Sequence, residues 1–122
     1  DVCSSDLKNI KKAKHTFNYE LMKEFNGGKQ MKDVWSGPLT KSTEKVFGKH
    51  PTQKPEYLLD RIIRATTKRG DTVLDPFLGS GTTGVISKKL QRQFIGIEKE
   101  INFIEIARDR IANTLVQGEF EW

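Results

Sequence analysis

Within residues 72–98 two short apolar runs flank a glycine loop: Thr72-Val73-Leu74-Asp75, then Gly79-Ser80-Gly81-Thr82-Thr83-Gly84, then Phe94-Ile95-Gly96-Ile97 ending at Glu98. Runs of this length and composition predict two buried strands. The spacing G-x-G-x-x-G between them predicts a tight turn that opens a helix, here from Thr82 to about Gln91, with Val85, Ile86 and Leu90 facing inward. Strand, helix and strand in this order are the unit of an α/β sheet with parallel strands. Two strands do not complete such a sheet, which needs both faces covered and usually has about 4–6 strands. The rest is expected from upstream, from downstream or from a partner, so the chain reads as an incomplete piece of an α/β fold with a parallel sheet.

The flanks fit this unit. Pro55 suits the first turn of a helix carrying Tyr57, Leu58, Leu59, Ile62, Ile63 and Ala65 to Thr67, and Gly70-Asp71 breaks it. A last helix runs from Ile101 to about Leu115, with Phe103, Ile104, Ala107, Ile111 and Leu115 on one face. Further upstream, Phe17, Leu21, Met22 and Phe25 mark a short amphipathic stretch closed by Asn26-Gly27-Gly28. Residues 31–49 read as loop, with one apolar cluster at Val34-Trp35.

The glycine loop follows a strand, opens a helix, and is followed by an acid, Glu98, close to the ~20-residue distance at which a carboxylate meets a ribose. That context predicts a nucleoside-containing cofactor. Glycines that merely permit a tight turn and close packing are the other reading. Asp75 bears on which cofactor. A dinucleotide lays its pyrophosphate over the helix N-terminus, where a carboxylate would repel it. S-adenosyl-L-methionine carries no phosphate and offers an ammonium that a carboxylate can pair with, so Asp75 favours it over NAD. A turn-initiating aspartate before Pro76 would look the same, and Asp75 alone leaves the choice open. Pro76 and Phe77 add a rigid turn and an apolar surface beside the cofactor.

The elements His50-Pro51-Thr52-Gln53-Lys54-Pro55, DPFLGSGTT at 75–83 and Gly96-Ile97-Glu98 together resemble the C-terminal half of the β-class DNA amino-methyltransferases. The resemblance covers roughly residues 29–115 and includes Asp33-Val34-Trp35. It implies a Rossmann-like methyltransferase fold, S-adenosyl-L-methionine as cofactor, DNA as partner, and methylation of the exocyclic amine of adenine (N6) within a restriction–modification system. Cytosine-N4 is the alternative base. Carried over, Asp75, Pro76, Phe77, Gly79 and Gly81 would cradle the methionine end and sulfonium side, with Thr82 at the helix start. Glu98 would hold the ribose hydroxyls. Thr52, Gln53 and Lys54 would close the pocket, Lys54 being suited to the cofactor carboxylate. Thr52 as a helix cap and Lys54 as a solvated charge are the plainer readings. His50 reads as structural.

One departure carries weight. The family's catalytic Asp/Asn/Ser-Pro-Pro-aromatic tetrapeptide lies N-terminal to HPTQKP, and no consecutive prolines occur in these 122 residues. No catalytic residue is therefore assigned within the chain. That motif is expected in a missing N-terminal half of the same protein, and the polypeptide alone is expected to transfer no methyl group. An NAD-type oxidoreductase and a non-catalytic nucleic-acid-binding module are the readings from other classes.

Charge and composition set the remaining bounds. Residues 8–49 hold ten lysines against four acids, whereas residues 50–122 are nearly balanced. The basic segment fits a polyanion partner, or simply a solvated surface, and the resemblance places it at the end of the DNA-recognition region. One cysteine, Cys3, offers neither a disulfide framework nor a cysteine metal site, and no metal ligands are expected. No apolar run approaches the ~18 residues of a membrane span, so an intracellular soluble protein is the default, and the resemblance implies a cytoplasmic, bacterial or phage-encoded one. Residues 1–7, DVCSSDL, back-translate to a sequence like a sequencing-adapter end read in frame, and are read as an artefact.

Overall fold

The structure is a computed structural model that describes residues 16–117. The adapter-like residues 1–7 and the lysines at 8, 11, 12 and 14 lie outside the described residues. In chain order the elements are α1 (Tyr19–Phe25), a 3₁₀ turn (Ser42–Lys45), α2 (Glu56–Thr66), β1 (Thr72–Asp75), α3 (Thr82–Lys89), β2 (Gln93–Gly96) and α4 (Ile101–Ala112). No helix among the described residues is long and apolar enough to cross a membrane.

β1 and β2 pair in parallel, with Thr72 opposite Gln93, Val73 opposite Phe94, Leu74 opposite Ile95 and Asp75 opposite Gly96. The pairing continues past the strand ends through Ile97 N–H to Asp75 C=O and Leu78 N–H to Ile97 C=O, both 2.9 Å. The start of the glycine loop is thereby tied to the end of β2. One face of this ribbon is packed. Ile63 of α2, Val85 and Ile86 of α3 and Leu90 form a buried cluster, joined by Leu59, Val73 and Ile111. Each such side chain contributes about 1.5–3 kcal/mol on burial. The opposite face is open: Leu74 and Ile95, side by side in register, are 60% and 54% exposed, and Ile97 is 56% exposed.

α1 is fixed to the end of α2 by Asn18. Its amide donates to the carbonyls of Arg64 (2.5 Å) and Thr67 (2.9 Å), and its backbone N–H donates to Ala65 C=O. These are carbonyls that the last turn of a helix leaves unpaired. Asn26, Gly27 and Gly28 close α1, the two glycines at positive φ.

Several boundaries differ from the sequence expectation. α4 ends at Ala112, and Leu115, expected on its buried face, is 85% exposed. The buried position near the end of that helix belongs instead to Arg110. α3 stops at Lys89, with Leu90 as its C-cap. The second strand, read as buried, is only half covered, because alternate side chains meet the open face. The 31–49 passage, read as loop, contains the 3₁₀ turn, closed locally by Glu44 N–H to Lys41 C=O (3.1 Å) and tied across sequence by Glu56 N–H to the Glu44 carboxylate.

Candidate functional site

The turn from β1 to α3 folds as it does because two glycines take backbone angles closed to most side chains. Gly79 has φ +55° and Gly81 φ +83°. At Gly81 an added Cβ would also lie 2.7 Å from Ala107 Cβ and 2.9 Å from its Cα, so α4 packs directly beneath the loop. At Gly79 the ring of His50 covers the position a Cβ would take, with Nε2 3.3 Å from it. A Cβ on Gly84 would strike Ile111 and Phe94, the close helix–strand approach that the third glycine of this spacing permits.

Two carboxylates bracket the loop from adjacent strands. Asp75, the last residue of β1, accepts Phe77 N–H on Oδ1 (3.0 Å) and the Thr83 hydroxyl on Oδ2 (2.6 Å). It thus ties the start of the turn to the first turn of α3. Glu98, two residues beyond β2, accepts Gly79 N–H on Oε2 (2.8 Å), and Lys99 N–H (2.8 Å) and Glu100 N–H (3.0 Å) on Oε1. These bonds, that from Glu100 foremost, hold its pKa below the usual carboxylate value. An ionised carboxylate offers about four lone-pair sites, so both groups keep acceptor capacity beyond these bonds.

The segment 50–55 forms the neighbouring wall. The His50 ring packs against Phe103 of α4, tilted by 56° at 4.2 Å between centroids, and its Nδ1 accepts Thr52 N–H (3.2 Å), with the Thr52 hydroxyl 3.4 Å away. Thr52 therefore serves the His50 turn and does not cap α2. The first N–H of that helix, at Glu56, goes to Oε2 of Glu44 in the 3₁₀ turn (2.9 Å). Gln53 donates from Nε2 to Glu44 C=O (2.8 Å), while its buried Oε1 has no partner among the described residues. Lys54 is exposed, and its carbonyl accepts the Thr82 hydroxyl (3.1 Å), which joins this wall to the start of α3. Pro76 and Phe77 lie at the surface, Phe77 88% exposed.

Arg110 reaches the loop from below and was not picked out by its sequence. Its Nη1 donates to Ser80 C=O (2.8 Å), Ser80 Oγ (3.0 Å) and Thr82 Oγ1 (3.1 Å), and its Nη2 to Glu56 Oε1 (3.4 Å). Burial lowers its pKa, and Glu56 and then Glu44 offset only part of that. Glu56 is shared with Lys89, so a guanidinium, a carboxylate and an ammonium run from the loop to the end of α3. The one local sign was a charge three residues after Ala107, on the apolar stripe of α4.

The structure thus gathers Asp75, Gly79, Gly81, Thr82 and Glu98 around one turn at the carboxyl ends of two parallel strands, with Thr52, Gln53 and Lys54 on the adjoining segment. Ligands of open α/β sheets bind at that end. The donor set is acceptor-rich. A carboxylate of the protein stands beside the N-terminus of α3, where a pyrophosphate would have to lie. The site fits a ligand with an ammonium and vicinal hydroxyls. A separate cavity of about 900 Å³ lies away from this turn, between α1, the end of α2 and the α3–β2 connection, lined by residues such as Phe17, Arg64 and Arg92. No group of three or more His, Cys, Asp or Glu suited to a metal ion occurs among the described residues.

The chain is 67% identical over 104 residues to the type II methyltransferase M2.DpnII of Streptococcus pneumoniae, covering 85% of this chain and 39% of that protein. It is 65% identical over 111 residues to M2.LlaDCHI of Lactococcus lactis subsp. cremoris, covering 91% and 41%. It therefore spans about two-fifths of the length of these relatives. Among solved structures, the M1.HpyAVI–SAM complex matches with a TM-score of 0.59 and 43% identity, over 83% of this chain and 46% of that one. That likeness supports reading the two-stranded α/β unit as part of a methyltransferase fold. A family description for DNA methylases, N6_N4_Mtase, matches residues 5–109. On that match, which takes in the HPTQKP segment, the glycine loop and both loop carboxylates, the chain belongs to the N6_N4_Mtase family of DNA methylases.

Proposed function

We propose that this chain is the S-adenosyl-L-methionine-binding part of a DNA methyltransferase that modifies the exocyclic N6 amine of adenine. The observation that carries the reading is the pair of carboxylates, Asp75 and Glu98, both hydrogen-bonded to one glycine turn, Asp75 to Phe77 and Thr83 at its two ends and Glu98 to Gly79. Asp75 would receive the cofactor's ammonium and Glu98 its ribose hydroxyls. Gly79, Gly81 and Thr82 would form the floor, and Pro76 and Phe77 the apolar rim. Thr52, Gln53 and Lys54 would close the adjoining side, with Lys54 toward the cofactor carboxylate and the unpartnered Oε1 of Gln53 open to a donor. Bound there, the cofactor supplies an electrophilic methyl group on a sulfonium. The choice of adenine rests on the form of the HPTQKP element.

The residues that would grip the target amine are proposed to lie in sequence N-terminal to this chain, which has no consecutive prolines. Reaching that amine in duplex DNA requires the base to be turned out of the stack. Some lysines of residues 8–49 would meet DNA phosphates, which orient a protein on the duplex without specifying sequence. A cytoplasmic, bacterial or phage-encoded enzyme of a restriction–modification system fits this reading.

The test is methyl transfer from tritiated S-adenosyl-L-methionine into DNA by the full-length protein, followed by nucleoside analysis. Label in N6-methyladenine is expected, and none from the 122-residue chain alone. Label in N4-methylcytosine would replace the base assignment. Binding of NADH without binding of S-adenosyl-L-methionine would overturn the reading altogether.

A further inference from the structure

The loop conformation is not explained by the glycines alone. Glycine at 79 and 81 permits positive φ but does not hold it, because glycine explores both signs freely. What holds the turn is a set of contacts from outside it, and the largest share comes from one residue. Arg110, 5% exposed, directs three hydrogen bonds from a single guanidinium nitrogen at Ser80 and Thr82, on either side of Gly81. Ala107, one helical turn earlier on the same face of α4, meets Gly81 itself. Glu56 receives the other guanidinium nitrogen and neutralises its charge.

We infer that Arg110 is a positioning residue for the cofactor loop: it acts through Ser80 and Thr82, without touching the ligand, to fix the turn that Asp75 and Glu98 bracket. Resting as it does on the cofactor reading above, it adds a determinant of affinity outside the glycine motif. A guanidinium suits this task because its donors are planar and rigid, so a carbonyl, a hydroxyl and a carboxylate can be served at fixed angles. Lysine would keep the charge but concentrate its donors on one flexible atom. Methionine would keep the stem, leave the Ser80 carbonyl unserved in a buried place and leave Glu56 to Lys89 alone.

The experiment uses the full-length protein with R110K, R110M and E56Q. Amide hydrogen exchange of the ligand-free protein reads order at Gly81 and Thr82, and calorimetric titration reads affinity for S-adenosyl-L-methionine. For R110M we expect faster exchange confined to the loop and cofactor affinity weakened by about tenfold or more, the usual scale for a buried polar group left unpaired. R110K is expected to recover part of both, and E56Q to show a smaller loss. At saturating cofactor, kcat should stay within about threefold of the unmodified protein, since the loss is one of binding. Unchanged loop exchange and unchanged affinity in R110M, with only a lower melting temperature, would overturn the inference and leave Arg110 a packing residue. Should R110M fail to fold, R110K and E56Q decide on the same two readouts. If the unmodified protein binds no S-adenosyl-L-methionine, the cofactor reading fails, and loop exchange still decides whether Arg110 holds the turn.

Discussion

Glu98 accepts three backbone N–H groups with one carboxylate, which leaves about one lone-pair site, on Oε2, just beyond the end of β2. Because those bonds favour the ionised form, its pKa is lower in the folded chain than in the unfolded one. The sign of the linkage follows. Its contribution to stability is present above the unfolded value of about 4.3 and is lost as pH falls through the lower folded value. In melting curves between pH 3 and 7, E98Q should therefore sit below the parent protein at neutral pH and converge with it in acid. A gap that does not narrow on acidification would remove the charge from this account. Asp75 and Glu98 were legible in the sequence because a strand, a glycine turn and an acid at a set distance form a local pattern. Arg110 was not, since its partners lie 28, 30 and 54 residues back along the chain and a lone charge on an apolar stripe does not announce them.

At the scale of elements, α2 shows how much of a local expectation can survive with a different cause. The helix begins where Pro55 suggests, yet no side chain of the HPTQKP segment caps it. The cap comes from Glu44, twelve residues earlier, which the 3₁₀ turn Ser42–Lys45 aims at Glu56 N–H. A carboxylate at a helix N-terminus also meets the positive end of the helix dipole. E44A should cost about 1 kcal/mol in urea unfolding, the usual scale of a lost N-cap, whereas T52A should cost much less. Equal effects would mean that Thr52 shares the cap. Strand and helix order was readable from periodicity. The ends of α3 and α4 were not, because Leu90 and Leu115 continue the apolar spacing past the point where the helical hydrogen bonds stop.

For the whole molecule, the decisive feature is the asymmetry of the sheet. Val73 and Phe94 face the packed side, while Leu74, Ile95 and Ile97 meet solvent over an apolar strip with no cover among the described residues. Parallel sheets are covered on both faces, so this strip calls for further structure, which we propose the remaining three-fifths of a protein the size of its relatives would supply. Produced alone, the 122-residue chain should bind an apolar dye and associate as concentration rises, and the double substitution L74T/I95T should reduce both. A monodisperse chain that binds no dye would show the strip to be covered by residues of the chain itself.

Thr82 gives these scales a common point. Its hydroxyl has a single hydrogen, which goes to the Lys54 carbonyl, while its oxygen receives Arg110. The three groups form a relay with a direction, and each bond in such a relay polarises the next. Beside the direct contact of the His50 ring with Phe103, the last helix and the HPTQKP wall are therefore linked by hydrogen bonds through one oxygen atom. A change at position 110 would be felt at Lys54 as a weakened acceptor bond, and any ligand that pulls on the 50–55 wall would be felt in the depth of α4.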